Sequence, residues 1–190
     1  MDFKLVLQIV GVVLGLLYLY LEYKANIWLW VVGLIMPVVH GTLYYRSGLY
    51  ADFSMQLYYI AAGLYGLMMW SRKPKKKSES PLKISFTPIG VWPKAFAIYA
   101  LLHAAIYWLL VSFTDSTVPF WDSLSTALCI LAYWMLSRKY VEQWLVWLAV
   151  DLISFGLYIY KDIPLTAGLY ALYSALAVAG YLRWRKAVEA

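Results

Sequence analysis

An all-α integral membrane bundle of seven helices, arranged as three plus one plus three, is the fold class this sequence predicts. Three observations predict it: composition, the spacing of apolar runs, and a repeat between the two parts of the chain. Of 190 residues, 64% are hydrophobic and 14% charged, against about 25% charged in ordinary soluble domains. A transmembrane helix needs about 20 mostly apolar residues, and stretches of that kind follow one another along most of the chain. No length remains for a separate soluble domain.

The sequence opens MDFKLVLQIVGVVLGLLYLYLEYK, without the basic start and small-residue cleavage site of a removable signal peptide. It reads as the first permanent helix. The apolar runs place the seven spans at 5–21, 27–45, 50–70, 95–113, 120–136, 144–160 and 165–182. Tryptophans and tyrosines gather at several span ends, among them Trp28, Tyr45, Trp70, Trp121 and Trp184, where amphipathic rings sit at headgroup depth.

With the N-terminus outside, the breaks after spans one, three and five and the C-terminal tail are cytoplasmic. They hold Lys24, Arg72, Lys73, Lys75, Lys76, Lys77, Lys83, Lys94, Arg138, Lys139, Arg183, Arg185 and Lys186, and only Lys4, Arg46 and Lys161 fall outside. That asymmetry fixes an N-out, C-in orientation in the lipid bilayer. The longest break, SRKPKKKSESPLKISFTPIGVWPK at 71–94, reads as a flexible loop that sets topology and can lie on anionic headgroups. The net charge of +6 thus belongs to short loops beside apolar segments, and nucleic acid is excluded as a partner.

Sliding the chain by 114 residues superimposes spans two and three on spans six and seven without a gap. Trp30 meets Trp144, Leu34 meets Leu148, Leu43 and Tyr44 meet Leu157 and Tyr158, Tyr59 meets Tyr173, Gly66 meets Gly180, and Trp70 meets Trp184. Two three-helix units separated by one helix share the same membrane orientation, a parallel-repeat architecture that places substrate near the bilayer midplane between the repeats. The domains are then a first triple-helix repeat at 1–73, a basic loop with a linking helix at 74–118, and a second triple-helix repeat at 119–190.

On span six Trp144, Trp147, Asp151, Ser154 and Tyr158 share one helical face, and the repeat maps them onto Trp30, Gly33, Pro37, His40 and Tyr44. A second face pairs Gln56, Tyr59, Gly63, Gly66 and Trp70 with Tyr170, Tyr173, Ala177, Gly180 and Trp184. Asp151 is the sharpest signal. An ionised carboxylate in the middle of a span costs at least about 2.5–3.5 kcal/mol, so it faces a wet cavity, a ligand, or a structural partner such as His40 or a tyrosine hydroxyl. Trp147 suits stacking on a flat cationic ring, worth roughly 0.5–2 kcal/mol, and Trp144 is either a second stacking ring or an interfacial anchor. Gln56, Tyr59, Tyr170 and Tyr173 offer hydrogen bonds to ligand or to neighbouring helices, and so does His40. His103 reads as structural, Asp122 as a helix N-terminal carboxylate or part of an outer gate, and Pro37 as a hinge.

No Ser/His/Asp order, HExxH, phosphate-binding glycine loop or Cys/His metal spacing occurs, so neither catalysis nor a cofactor is expected. The single cysteine, Cys129, reads as packing.

PFWDS at 119–123, SRKYVEQWLVW at 137–147, the following DLIS at 151–154, LYADFSMQ and LYGLMMW resemble the Pnu vitamin transporters, bacterial relatives of the SWEET sugar transporters. The resemblance covers essentially the whole chain. It implies a SWEET-like seven-helix fold, a homotrimer in the bacterial inner membrane, and facilitated diffusion of nicotinamide riboside or thiamine, with a cytoplasmic kinase trapping the product. It also puts Gln56, Trp144, Trp147 and Asp151 on binding positions. Nicotinamide riboside members resemble WxxWxxxN, where this chain has Asp151; they tend to carry Asn and Trp where it has Gly63 and Leu67. Those departures, with LYLYLEYKAN and GLIMP, point toward the thiamine branch. The competing classes are a membrane enzyme, which the absent motifs disfavour, and a substrate-capture subunit of a larger transporter.

Overall fold

The computed structural model describes residues 3–46, 50–72, 82–160, 162 and 164–189; the side chains of residues 3–12 and of several positions between 36 and 55, His40, Tyr44 and Asp52 among them, lie outside the described residues. Among the described residues the chain forms seven α-helices: α1 Phe3–Tyr23, α2 Trp28–Arg46, α3 Tyr50–Ser71, α4 Trp92–Phe113, α5 Pro119–Ser137, α6 Gln143–Tyr160 and α7 Pro164–Glu189. A 3-10 turn, Ile89–Val91, leads into α4.

The helices fall close to the seven apolar runs, because in lipid a helix is one of the few ways to satisfy every backbone group internally. Two stretches, Ile89–Phe113 and Gln143–Tyr160, are long and apolar enough to cross a membrane by composition alone among the described residues. α7 runs past the expected end at 182 because Arg183–Glu189 continues with good helix formers, with Arg185 Nε donating to Glu189 Oε1 at 2.8 Å one turn on. α2 continues through Pro37 without interruption.

The chain divides into two compact units, Met1–Lys83 and Ile84–Ala190. In the first, α2 packs on both α1 and α3. In the second, α4 packs on α5, α5 on α6 and α6 on α7.

Parts of the internal geometry of the two units repeat. The α1–α2 turn is closed by Ala25 N–H donating to Glu22 O (2.8 Å) and Asn26 N–H to Leu21 O (2.9 Å); the α5–α6 turn is closed by Lys139 N–H to Leu136 O (2.9 Å) and Tyr140 N–H to Met135 O (3.1 Å). These two bonds define a Schellman helix end. Its left-handed residue is not glycine in either half: Ala25 has φ 50° and Lys139 φ 56°, a conformation that costs an L-residue about 1–2 kcal/mol. Lys139 is also half-buried, and desolvation lowers its ammonium pKa from the ordinary lysine value. The next turn repeats as well, Leu29 N–H to Asn26 O and Trp30 N–H to Ile27 O in one unit, Gln143 N–H to Tyr140 O and Trp144 N–H to Val141 O in the other.

Helix pairing repeats with it. Trp30 meets Trp70 edge to face at 5.7 Å and 86°, and Trp144 meets Trp184 at 5.8 Å and 87°. A Cβ at Gly66 would overlap the Trp30 indole, and one at Gly180 the Trp144 indole. Each glycine is therefore the slot that lets a tryptophan pass between two helices.

The loop at 71–94 departs from the sequence expectation. Its residues 73–81 lie outside the described residues, but 82–88 are pinned rather than loose. Ser85 forms a parallel bridge with Tyr140, donating from its N–H to Lys139 O (3.1 Å) and accepting from Val141 N–H (3.0 Å). Thr87 donates from N–H and from Oγ1 to Glu142 Oε2, at 2.9 and 2.7 Å. Backbone pairing and a charge-assisted bond hold a segment that composition alone reads as flexible.

Candidate substrate-binding site

The second unit carries the densest set of the expected site residues. The face of α6 holding Trp144, Trp147, Asp151, Ser154 and Tyr158 lies toward its neighbours: Trp144, Asp151 and Ser154 are buried, Trp147 meets Tyr133 of α5 edge to face at 5.5 Å, and Tyr158 stacks on Tyr170 of α7 at 5.3 Å and 14°. Tyr170 in turn meets Tyr173 edge to face at 5.9 Å. Asp151, 6% exposed, lies within electrostatic reach of Tyr170, Tyr173 and Cys129. Two turns of α6 thus place a carboxylate between an indole on one side and a tyrosine stack on the other.

Sequence reasoning singled out Asp151, Trp147, Tyr170 and Tyr173, and the structure groups Asp151 with the two tyrosines. Tyr133 was missed, since α5 carried no repeated signal. Tyr158 was legible as a member of the α6 stripe. Trp144 is 2% exposed and wedged against Gly180 and Trp184 as Trp30 is against Gly66 and Trp70. The same packing in both halves accounts for its presence.

A cavity of about 600 Å³ opens between α5 and α6, lined by Trp121, Leu152, Gly156 and Tyr160 among others. At about 100° per residue these α6 positions lie on the face opposite Asp151, so this apolar groove is separate from the carboxylate. In the first unit, Gln56 lines a cavity of about 350 Å³ with Pro37, Gly41 and Thr42, and Tyr59 meets Tyr58 edge to face at 5.5 Å. The side chain of His40, the remaining expected contact, lies outside the described residues.

The flanking polar residues have local roles. Ser123 Oγ lies 3.1 Å from His103 Nδ1, which ties α4 to α5. Asp122 accepts a 2.6 Å bond from Ser116 Oγ in the first turn of α5, where a carboxylate suits the helix dipole. No group of His, Cys, Asp and Glu that could hold a metal occurs among the described residues.

Seven mainly apolar helices, a buried carboxylate and rings stacked beside it define a polytopic membrane protein with a polar, aromatic-lined interior, the construction of a solute transporter. Comparison with known proteins makes the class specific. The chain belongs to the nicotinamide mononucleotide transporter family, whose model matches residues 5–186. It is 27% identical to the nicotinamide riboside transporter PnuC of Escherichia coli (strain K12), over 94% of this chain and 84% of that protein. It is 28% identical to the riboflavin/roseoflavin transporter RibM of Streptomyces davaonensis, over 93% of this chain and 83% of that one. The crystal structure of the vitamin B3 transporter PnuC matches with a TM-score of 0.70 and 23% identity, covering 93% of this chain and 79% of that chain, which speaks for the fold alone. This chain is a membrane vitamin transporter of that type, and its relatives are transporters rather than enzymes. The thiamine expectation finds no support among them.

Proposed function

We propose that this transporter carries nicotinamide riboside by facilitated diffusion, through a site in which Asp151 faces the pyridinium charge and Trp147 and the tyrosines of α6 and α7 take its ring. The observation that carries the reading is Asp151 itself, buried beside stacked aromatic rings. A carboxylate is expensive in a membrane unless it meets a cation or water, and the substrate named for the E. coli relative is a cationic ring on a ribose. Riboflavin, the substrate named for another relative, shares the flat nitrogen ring and the polyol but is neutral, so it makes less use of the carboxylate.

The wider scheme follows the family pattern. Gln56, Tyr59 and His40 of the first unit are further proposed substrate contacts, the N-terminus is outside in a bacterial inner membrane, a homotrimer forms, and a cytoplasmic kinase traps the product. The repeated turns and tryptophan wedges support the pairing of two like units.

Proteoliposomes containing this chain alone test the proposal, with calorimetry against nicotinamide riboside, riboflavin and thiamine. Energy-independent uptake of nicotinamide riboside with the tightest binding of the three is expected. Preference for riboflavin or thiamine would replace the substrate, and absence of uptake by the isolated chain would move it to the class of capture subunits.

A further inference from the structure

Gln143, the first residue of α6, is 0% exposed, and among the described residues neither its Oε1 nor its Nε2 has a hydrogen-bond partner. A buried amide left unpaired costs about 1–3 kcal/mol, so its presence calls for a reason beyond folding. The first unit supplies the control. Position 29 occupies the same place: its backbone makes the same bond, Leu29 N–H to Asn26 O against Gln143 N–H to Tyr140 O, and its side chain is equally buried at 0%. The residue there is leucine. This turn and helix therefore form with an apolar side chain at that point.

The same contrast continues up the helix. Positions 143, 147 and 151 are spaced by four and form one ridge. Along it the first unit has Leu29, Gly33 and Pro37, whereas the second has an amide, an indole and a carboxylate. Trp147 Nε1 is also buried without a hydrogen-bond partner among the described residues, and its counterpart, Gly33, has no such group. Trp144 behaves differently: its unpaired Nε1 is matched by that of Trp30, so that feature belongs to the repeated packing. The Gln143 amide and the Trp147 indole N–H are thus buried polar groups found on this ridge in the second unit alone, without hydrogen-bond partners among the described residues.

We infer that Gln143 is a substrate-contacting, specificity-determining residue at the turn end of this ridge. Its amide and the Trp147 indole N–H bind a group of the substrate that both donates and accepts hydrogen bonds, a carboxamide or a sugar hydroxyl. Eight residues of helix separate Gln143 from Asp151, about 12 Å along the axis, with Trp147 midway. One nucleoside-sized molecule is thereby held by its charge at one end and by its polar substituent at the other. The inference rests on the vitamin-carrier reading above and adds a residue that neither the motif nor the carboxylate discloses.

The test is calorimetry and thermal unfolding of the purified full chain with nicotinamide riboside, riboflavin and thiamine as probes, for wild type, Gln143→Leu and Gln143→Met. Leucine is the residue the first unit already uses, and methionine keeps the length while removing the amide. The expected result is an unfolding midpoint equal to or above that of wild type, with nicotinamide riboside binding weakened at least tenfold in both variants. If Leu does not fold, Met decides. Binding within twofold of wild type by either folded variant overturns the inference while leaving the carrier reading intact. A wild-type chain that binds none of the three vitamins overturns the carrier reading itself, and this inference with it.

Discussion

The α2–α3 pair and the α6–α7 pair are two versions of one object. Both follow a Schellman turn with a non-glycine residue in the left-handed conformation, and both lock their helices with a tryptophan lying over a glycine against a second tryptophan. Among the positions where they differ is one ridge of α6, where Gln143, Trp147 and Asp151 stand against Leu29, Gly33 and Pro37. Bulk is exchanged there too. In the first unit Tyr18 of α1 lies against Gly33; in the second the equivalents are Ala132, fully buried, and Trp147. The same interior can thus be filled from either helix, and only in the second unit does α6 carry the ring. The repeated tryptophans and glycines hold the helix pairs together, and the residues proposed to meet substrate on α6 are unrepeated ones.

Breaking what is common should have the largest effect on stability. Gly66→Ala and Gly180→Ala each force an indole out of a slot closed behind it by another tryptophan, and overpacking of this kind costs about 1–3 kcal/mol. Thermal unfolding of the purified protein is expected to drop by similar amounts for the two substitutions. A silent result at either glycine would show that the wedge is incidental in that half and that the equivalence fails.

Asp151→Asn probes what is different. It restores the amide of the WxxWxxxN pattern and removes the charge while preserving shape. Nicotinamide riboside affinity is expected to fall about tenfold, or about 1.4 kcal/mol, with riboflavin affinity changed far less. Equal losses for the two ligands would assign the carboxylate to hydrogen bonding rather than to charge. Tyr170→Leu comes next: it removes the ring stacked on Tyr158, a contact worth about 0.5–1.5 kcal/mol beyond its buried area. Calorimetry should show weaker binding of both aromatic vitamins, by severalfold. The equivalent position in the first unit is Gln56, so Gln56→Leu should leave stacking untouched and alter affinity through hydrogen bonding only.

Most of the architecture was legible because the bilayer demands long apolar helices and the repeat could be read at fixed spacing. Seven spans, the two tryptophan and glycine pairs and the α6 stripe all came from periodicity. The candidate site was legible where a residue is out of place in lipid, as Asp151 is. The candidate site was illegible where the signal is what a side chain lacks. Gln143 sits at the edge of an apolar run, next to charged residues, and looks like any polar residue at a span end until its burial and missing partners are seen. Substrate choice was not legible, since a carboxylate suits either vitamin cation. The pinned half of the linker was hidden because a β-bridge of one residue has no periodicity.

That linker is the smallest of the differences between the halves, and it can be isolated. The α5–α6 turn repeats the α1–α2 turn in its own bonds and additionally receives Ser85 and Thr87. Thr87→Val deletes the 2.7 Å hydroxyl bond to Glu142 while keeping side-chain shape and the backbone N–H bond to the same oxygen. Because one of the two donors survives, the expected loss is about 0.5–1 kcal/mol, the lower part of the range for a single hydrogen bond. A downward shift of a few degrees in thermal unfolding would show that the strap supports a turn already strained at Lys139. If unfolding is unchanged but uptake rates rise, the strap instead restrains motion of α6, since removing a contact that holds only one transport state speeds exchange without weakening the fold.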